Sequence, residues 1–364
     1  MYNMIKTVRF KQICRLAFQL LTKNRVAVIG GYHGVNLGDI ALGYSVLEVL
    51  KSKGINGSLQ TIYTLDKYPW PITKYAIVGG GAIGYKDSLI KVVNRYKGNF
   101  DKVALLGVDY NESNYEDNFK SLMRESAWIS CRNKNQALFI ENIIERKNIH
   151  SHPDLAFSYR KEFCKLLRNK KKEKIVLINV VPLYGSVVDG KLLPSEKYKE
   201  ERPELYKNYN TMIDNYRSGI REIIINALHE GYRVESIPFT PGDESMAKLI
   251  MKDLKVKHNK YSDNPKAMLC KMGTAEKVFA TRYHATIFAF KVGAKVIPMA
   301  YAKKNEFLLT ELGFKREDFI SSTDLANGKT IIDRHIKVEE SIISEWETNC
   351  HKVLNDCINT LVSN

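Results

Sequence analysis

One repeated unit limits what this chain can fold into: a short apolar run that stops at glycine, followed by an amphipathic stretch. Arg25-Val26-Ala27-Val28-Ile29-Gly30-Gly31 is the first such run, and a helix is expected from Ile40 to Lys51. Tyr75 to Gly81 is the second and ends in three glycines, and Val103 to Val108 is the third. Trp128 to Asn133 is the fourth, with a helix over Gln136 to Glu145, and His150 to Phe157 closes this half. Apolar runs of strand length alternating with helices predict a parallel sheet covered on both faces. After a basic run, Arg168 to Lys174, the rhythm restarts at Ile175 to Val181. It continues through Val234 to Phe239, Lys277 to Ala280 and Lys295 to Ala300.

A chain of 364 residues suits two α/β domains of about 150 residues each. The expected organisation is a basic amphipathic segment at 1–24, a first domain at 25–165, a second at 175–330 and a terminal helix at 336–364. The run 168–174 reads as a solvated linker. A polar stretch rich in Tyr, Lys and Glu, reaching about Tyr209, reads as a lid or an acceptor-side surface. The helix from about Met212 to Glu230 should end at Gly231, in the position that favours left-handed backbone. Ligands of such proteins bind in the cleft between halves.

The formal charge of +16 directs attention to anionic partners: phosphorylated metabolites, nucleic acid or an anionic membrane. No helix-turn-helix, zinc-finger or RNP pattern accompanies the basic run, so nucleic acid is set aside. Six cysteines without CxxC spacing argue against a zinc site and a disulfide framework, leaving a reducing cytoplasm as the expected location. Cys350, His351 and Cys357 read as positions on the terminal helix. The first 25 residues carry Lys6, Arg9, Lys11, Arg15, Lys23 and Arg25 and no acidic residue. Their apolar residues recur at helical spacing, and basic residues interrupt any secretory or spanning pattern. Residues 4–22 are therefore a candidate for peripheral contact with an anionic membrane at its inner face. The alternative is a stripe that packs on the protein itself.

Chemistry concentrates in Ala280-Thr281-Arg282-Tyr283-His284-Ala285, where a strand should give way to a helix. At that edge of an open α/β sheet an Arg offers a fork to carboxylate or phosphate, and a His can move protons near neutral pH. The competing reading is a surface Arg and a packed His. In the first half, the loop Tyr32-His33-Gly34-Val35-Asn36-Leu37-Gly38-Asp39 leads into a helix whose free N–H groups attract anions. Asp39 is placed to cap that helix. The spacing is not GxGxxG, so a dinucleotide gains no support. Gly79, Gly80 and Gly81 leave room for a ligand against the backbone, or allow a tight turn. Gly242 and Asp243 read as turn and cap.

The ordered set Asn36-Leu37-Gly38-Asp39, Gly79-Gly80-Gly81, Ser130-x-Arg132, Pro153-Asp154-x-Ala156 and Thr281-Arg282-Tyr283-His284-Ala285 resembles the polysaccharide pyruvyl transferase family. Tyr301-x-x-Lys304 (or Lys303) extends the resemblance, which covers roughly residues 25 to 315. Asn133 departs from the pattern, since Asp often follows the family's Ser-x-Arg. The resemblance implies two Rossmann-like domains facing across a cleft, similar to GT-B glycosyltransferases. It also implies transfer of the enolpyruvyl group of phosphoenolpyruvate to two sugar hydroxyls as a cyclic ketal. The acceptor would belong to a bacterial surface glycan, such as a capsule or exopolysaccharide, or to its lipid-linked precursor.

Under this resemblance Arg282 clamps the donor, joined by Arg132 and by Lys304 or Lys303. His284 is the general acid–base. Asp39 and His33 contact the acceptor or assist proton transfer, with Asn36, Gly38, Gly79, Gly80 and Gly81 lining the substrate. No metal and no cofactor other than the donor itself is implied. Two rivals remain: a glycosyltransferase using a sugar nucleotide on the same architecture, and a basic binding protein without catalysis.

Overall fold

The computed structural model describes residues 25–32, 35–81, 83–110, 115–147 and 149–363, together with 13, 14, 16–19 and 21. Two compact units make up the chain: Met1–Tyr159 with Glu345–Asn364, and Arg160–Ser344.

The first unit holds β1 (Val26–Gly30), β2 (Gly57–Thr61), β3 (Tyr75–Gly81), β4 (Val103–Val108), β5 (Trp128–Cys131) and β6 (His150–Ser151). They form one sheet in the order β2-β1-β3-β4-β5-β6, with every pair parallel. All residues of β1, β3 and β4 are buried, as expected for strands covered by helices on both faces. The chain order reverses at β1, and such switch points open a crevice at the carboxyl ends of the strands. Helix Leu37–Ser52 follows β1. Its cap is Asn36, whose side chain accepts from Gly38 N at 3.1 Å, and Asp39 stands in the first turn instead of capping.

The second unit begins its sheet with β7 (Glu173–Asn179). Next comes a hairpin, β8 (Gly185–Val188) and β9 (Lys191–Pro194), with short helices Glu196–Glu201 and Pro203–Lys207. These fill the polar stretch. β10 (Arg233–Ser236), β11 (Lys257–His258), β12 (Ala275–Ala280), β13 (Lys295–Ala300) and β14 (Ile320–Ser321) complete a parallel sheet in the order β11-β10-β7-β12-β13-β14. Here the order reverses at β7. Helix Tyr209–His229 ends ahead of Gly231, whose φ of 78° is the left-handed geometry expected there. Two parallel six-stranded sheets with flanking helices make two Rossmann-like domains, the architecture the sequence led us to expect.

The run 168–174 is mostly exposed, as expected, but it lies within the second unit and is not an interdomain linker: Arg168 ends a helix, and Glu173 already belongs to β7. Between them Lys172 Nζ donates to the carbonyls of Leu167 (3.0 Å), Gly273 (2.9 Å) and Val292 (2.6 Å). Those carbonyls end three helices, Lys161–Arg168, Pro265–Thr274 and Tyr283–Lys291, where orphan acceptors and the dipole favour a cation. The last helix, Glu340–Ser363, belongs to the first unit from Glu345 onward. There Trp346 meets Phe157 edge-on at 5.1 Å, and Cys350, Leu354, Cys357 and Ile358 are fully buried.

Most of the basic segment 1–24 lies outside the described residues. Of those described, Leu16 packs on the first core and Gln19 Nε2 donates to Leu59 O at 2.6 Å. Ile13, Phe18 and Leu21 are exposed. Among the described residues, no helix is long and apolar enough to cross a membrane.

Candidate active site

The Thr281-Arg282-Tyr283-His284 stretch sits where β12 meets helix Tyr283–Lys291, with Arg282 as the N-cap residue. The backbone N–H of Arg282 donates to Asn179 Oδ1 at 2.8 Å, tying the crossing to the end of β7. Its guanidinium is committed to Asp243. Nε lies 3.1 Å from both carboxylate oxygens, Nη2 lies 2.6 Å from Oδ1, and Nη2 also donates to Thr240 Oγ1 at 3.1 Å. Asp243 is buried and accepts in addition from the backbone N–H groups of Phe239 (3.0 Å) and Thr240 (3.1 Å). Burial opposes the charge on Arg282, but the Asp243 carboxylate outweighs it and holds the guanidinium pKa above its ordinary value. The bidentate edge expected to meet an anion therefore faces Asp243. Nη1 donates to none of the described residues, and the side chain keeps 22% exposure.

Around this crossing the lattice is closed. Tyr216 OH accepts from Val181 N (3.0 Å) and bonds Thr281 Oγ1 (2.9 Å). Asn305 Nδ2 donates to the Thr281 carbonyl at 3.1 Å. His284 is buried, its ring 5.2 Å from that of Tyr283 in an edge-on contact. Lys304 Nζ stands 5.4 Å from the Tyr283 ring centre, a cation–π distance. Lys303 is exposed, and with Lys304 it opens helix Lys303–Glu311 after β13. Neither helix start, at 283 nor at 303, has a side-chain cap among the described residues. The helices beginning at 241, 265 and 322 are all capped, by Thr240, Asn264 and Ser321. The carbonyl of Tyr301 accepts from Tyr184 OH and from Ser322 Oγ, so the hairpin region helps set the start of helix 303–311.

In the first unit the expected residues line the carboxyl edge of β1, β3, β4 and β5. Gly79 packs against β4, where a side chain would collide with the Leu106 carbonyl, and its own carbonyl accepts from Tyr32 OH. Gly80 is covered by Leu42 and Tyr32. Gly81, at φ 108°, faces the Asp39 carboxylate. Asp39 also lies close to Gly31 and Tyr63. Asn36 and Gly38 form the cap of their helix, and His33 lies outside the described residues.

Arg132 is not open to an anion. It is 7% exposed and is held by Asp109, through Nε at 2.8 Å and through Nη2, and by Asp154, through Nη1 at 2.8 Å. Asp154 in turn caps the turn Leu155–Phe157 by accepting from Ala156 N at 2.9 Å. Asn133, the departure from the family pattern, caps helix Lys134–Ile144. Alongside, His152 Nδ1 donates to the Pro153 carbonyl (2.7 Å), which leaves Nε2 to accept from Ser130 Oγ at 3.0 Å. Burial pushes the His152 pKa down to about 4. The Ser-x-Arg and Pro-Asp-x-Ala motifs are thus one interlocked structure.

The structure gathers Arg282, His284, Lys303 and Lys304 at one edge of the second sheet, and Asp39, Gly79, Gly80, Gly81 and Arg132 at one edge of the first. It adds Asp243, Asn179, Thr240, Asn305 and Asp109, which sequence reasoning missed as site partners. The Thr240…Asp243 capping box was the one local signal among them. No group of three or more His, Cys, Asp or Glu among the described residues could hold a metal.

A family model described as polysaccharide pyruvyl transferase matches residues 36–303. No curated protein matches the chain. Among solved structures, the UDP-GlcNAc 2-epimerase of Neisseria meningitidis bound to UDP-GlcNAc aligns with a TM-score of 0.51 and 11% identity, covering 93% of this chain and 99% of its own. The UDP-GlcNAc 2-epimerase of Methanocaldococcus jannaschii aligns at 0.48 with 11% identity, covering 93% and 99%. An uncharacterised protein from Klebsiella pneumoniae aligns at 0.45 with 16% identity, covering 86% and 97%. At 11% identity the Neisseria likeness speaks for the fold alone, two Rossmann-like domains of the GT-B kind.

Proposed function

The chain belongs to the polysaccharide pyruvyl transferase family, and on that premise we propose that it transfers the enolpyruvyl group of phosphoenolpyruvate to two hydroxyls of one sugar. The sugar belongs to a bacterial surface glycan or its lipid-linked precursor. One observation carries the donor assignment. Two helices that follow the neighbouring strands β12 and β13 start without side-chain caps, and Arg282, Lys303 and Lys304 stand at those starts. Uncapped N–H groups with adjacent cations suit a small molecule bearing both phosphate and carboxylate.

In this reading His284 delivers a proton to the methylene carbon of the donor, and C2 becomes electrophilic. One sugar hydroxyl adds to C2 and gives up its proton to a base. The C–O bond to phosphate breaks and phosphate leaves with the electron pair. The second hydroxyl adds to C2, loses its proton and closes the ketal. One donor and two hydroxyls yield one cyclic ketal and one phosphate.

Phosphate release from phosphoenolpyruvate is measured with galactoside and N-acetylhexosamine acceptors, together with the mass gained by the sugar. Arg282→Ala and His284→Ala, each folded, should abolish both signals, and retained turnover in both removes these roles. Nucleotide release from a sugar nucleotide, without phosphate release from the donor, replaces the proposal with glycosyl transfer. Residues 4–22 belong to the same proposal as a contact with anionic membrane, since Ile13, Phe18 and Leu21 are exposed at 54%, 67% and 86%. Deleting residues 1–22 should lower co-sedimentation with phosphatidylglycerol vesicles, and unchanged binding removes that contact.

A further inference from the structure

The peptide group between Thr281 and Arg282 lies just past the end of β12 and leads into helix Tyr283–Lys291. Backbone pairing of β12 with β7 and β13 stops one residue earlier, at Ala280, opposite Asn179 and Pro298. Beyond that pair the peptide is met by side chains instead. Its N–H donates to Asn179 Oδ1 at 2.8 Å, and its C=O accepts from Asn305 Nδ2 at 3.1 Å. The two groups of a trans peptide point in opposite directions, so one plane is gripped from both sides. A carboxamide carries the same donor and acceptor as a peptide. Asn179 and Asn305 thus extend the sheet by one unit where its strands have ended.

Both side chains are themselves fixed. Asn179 ends β7, is fully buried, and donates through Nδ2 to the Ile237 carbonyl at 3.0 Å. Asn305 is the third residue of helix Lys303–Glu311 and is 2% exposed. Its Oδ1 is buried and has no partner among the described residues. An unpaired buried acceptor is destabilising, and an apolar side chain of the same shape would avoid it. The bond from Nδ2 to Thr281 is what the carboxamide supplies at that position.

We infer that Asn179 and Asn305 are positioning residues for the donor site, acting as a pair on the single peptide plane 281–282. Arg282 starts from that plane, so its rotation would redirect both the guanidinium and the N–H groups that open helix Tyr283–Lys291. Asn305 also ties the start of helix Lys303–Glu311 to the same plane, which holds the two helix starts in fixed relation. The inference rests on the proposed binding of phosphoenolpyruvate at those starts, and it adds the residues that aim them.

The test is a double-mutant cycle on the full chain. It is read by calorimetric binding of phosphoenolpyruvate, by steady-state kinetics, and by exchange of the Arg282 amide proton in protein carrying isotopically labelled arginine. Asn179→Ala and Asn305→Ala each remove a bond to the plane, and each should raise Kd about tenfold. Either loss frees the same plane, so the double variant should stay within about threefold of the singles instead of reaching the roughly hundredfold of independent sites. KM should rise with Kd while kcat changes less than about threefold, a split that general destabilisation would not produce. Asn305→Leu keeps the shape and removes the unpaired acceptor, so it should fold at least as stably as Asn305→Ala and lose the same affinity. In it the Arg282 amide should exchange faster, although Asn305 is not the acceptor of that N–H. An unchanged Kd in Asn305→Leu, or a multiplicative double variant, overturns the inference. A wild type that binds no phosphoenolpyruvate overturns the proposed function; faster Arg282 exchange in Asn305→Leu then leaves the clamp standing, and unchanged exchange removes both.

Discussion

Asp243→Ala tests whether Arg282 is a clamp held in place or a free cation. In the wild type the carboxylate takes three contacts from the guanidinium, at 3.1, 3.1 and 2.6 Å, and two from the backbone N–H groups of Phe239 and Thr240. Removing one partner of a buried pair costs about 3–5 kcal/mol, because the remaining charge stays desolvated. Arg282 keeps 22% exposure and can recover part of its hydration, which places the cost near about 3 kcal/mol. Asp243→Asn keeps an acceptor oxygen but loses the charge-assisted bonds, about 2 kcal/mol. Activity should fall with stability in the order wild type, Asn, Ala, since an unanchored guanidinium no longer presents Nη1 at a fixed place. Hydrogen exchange by mass spectrometry localises the effect: peptides covering 233–243 and 275–290 should exchange faster, and those covering β3 and β4 should not. Wild-type exchange and stability in Asp243→Ala would refute the anchoring argument. Wild-type stability with lost turnover would instead assign Asp243 directly to substrate.

Three further outcomes follow from other buried contacts. The folded pKa of His152, about 4, lies below its unfolded value of about 6.5. Its contribution is therefore complete above pH 6.5 and lost as pH falls toward 4, up to about 3 kcal/mol, and His152→Gln should flatten that acid slope in tryptophan-monitored urea unfolding. Trp70, Trp128 and Trp346 all lie in the first unit, so this signal reports the unit that holds His152. Lys172→Met leaves three carbonyls without their shared cation and should cost about 2–4 kcal/mol, read by circular dichroism in urea. Arg132→Met should destabilise by about 3–5 kcal/mol while leaving KM for phosphoenolpyruvate within about threefold; a tenfold rise in KM at normal stability would make Arg132 a donor ligand.

Long central strands were legible because burial on both faces makes them continuous apolar runs, some of them running into glycine. Tyr75–Gly81, Val103–Val108 and Lys295–Ala300 are found where those runs stand. The edge strands were not legible. β6, β11 and β14 have two residues each, and β2 reads Gly-Ser-Leu-Gln-Thr, with no alternation to mark it. At the site, the residues whose chemistry is intrinsic, Arg282, His284 and Asp39, could be picked by type and position. Their partners could not. Asn179 is 103 positions from Arg282 and Asp243 is 39 away, and only the sheet order, with β7 between β10 and β12, brings the three together. Asp243 was read as a cap, which it is; its second bond, to Arg282, has no local signature.

The two motif arginines change what the charge of the chain can mean at the site. Asp243 balances Arg282, and Arg132 sits between two carboxylates, Asp109 and Asp154, so neither brings an unspent positive charge to an incoming anion. What remains at the second sheet's edge is Lys303, Lys304, one guanidinium N–H and two helix starts without a side-chain cap among the described residues. Donor affinity built this way rests on backbone dipoles and on lysines that are at least partly exposed, and salt screens such lysines far more than a buried fork. The arginines do a different task. Arg282 ties the crossing after β12 to Asp243, in the helix that follows β10, and so fixes the start of helix Tyr283–Lys291; Arg132 ties the crossing after β5 to Asp109 and Asp154 in the same way within the first unit. An Arg→Lys exchange would keep the charge and lose that placement, because a lysine cannot span two acceptors with one planar fork.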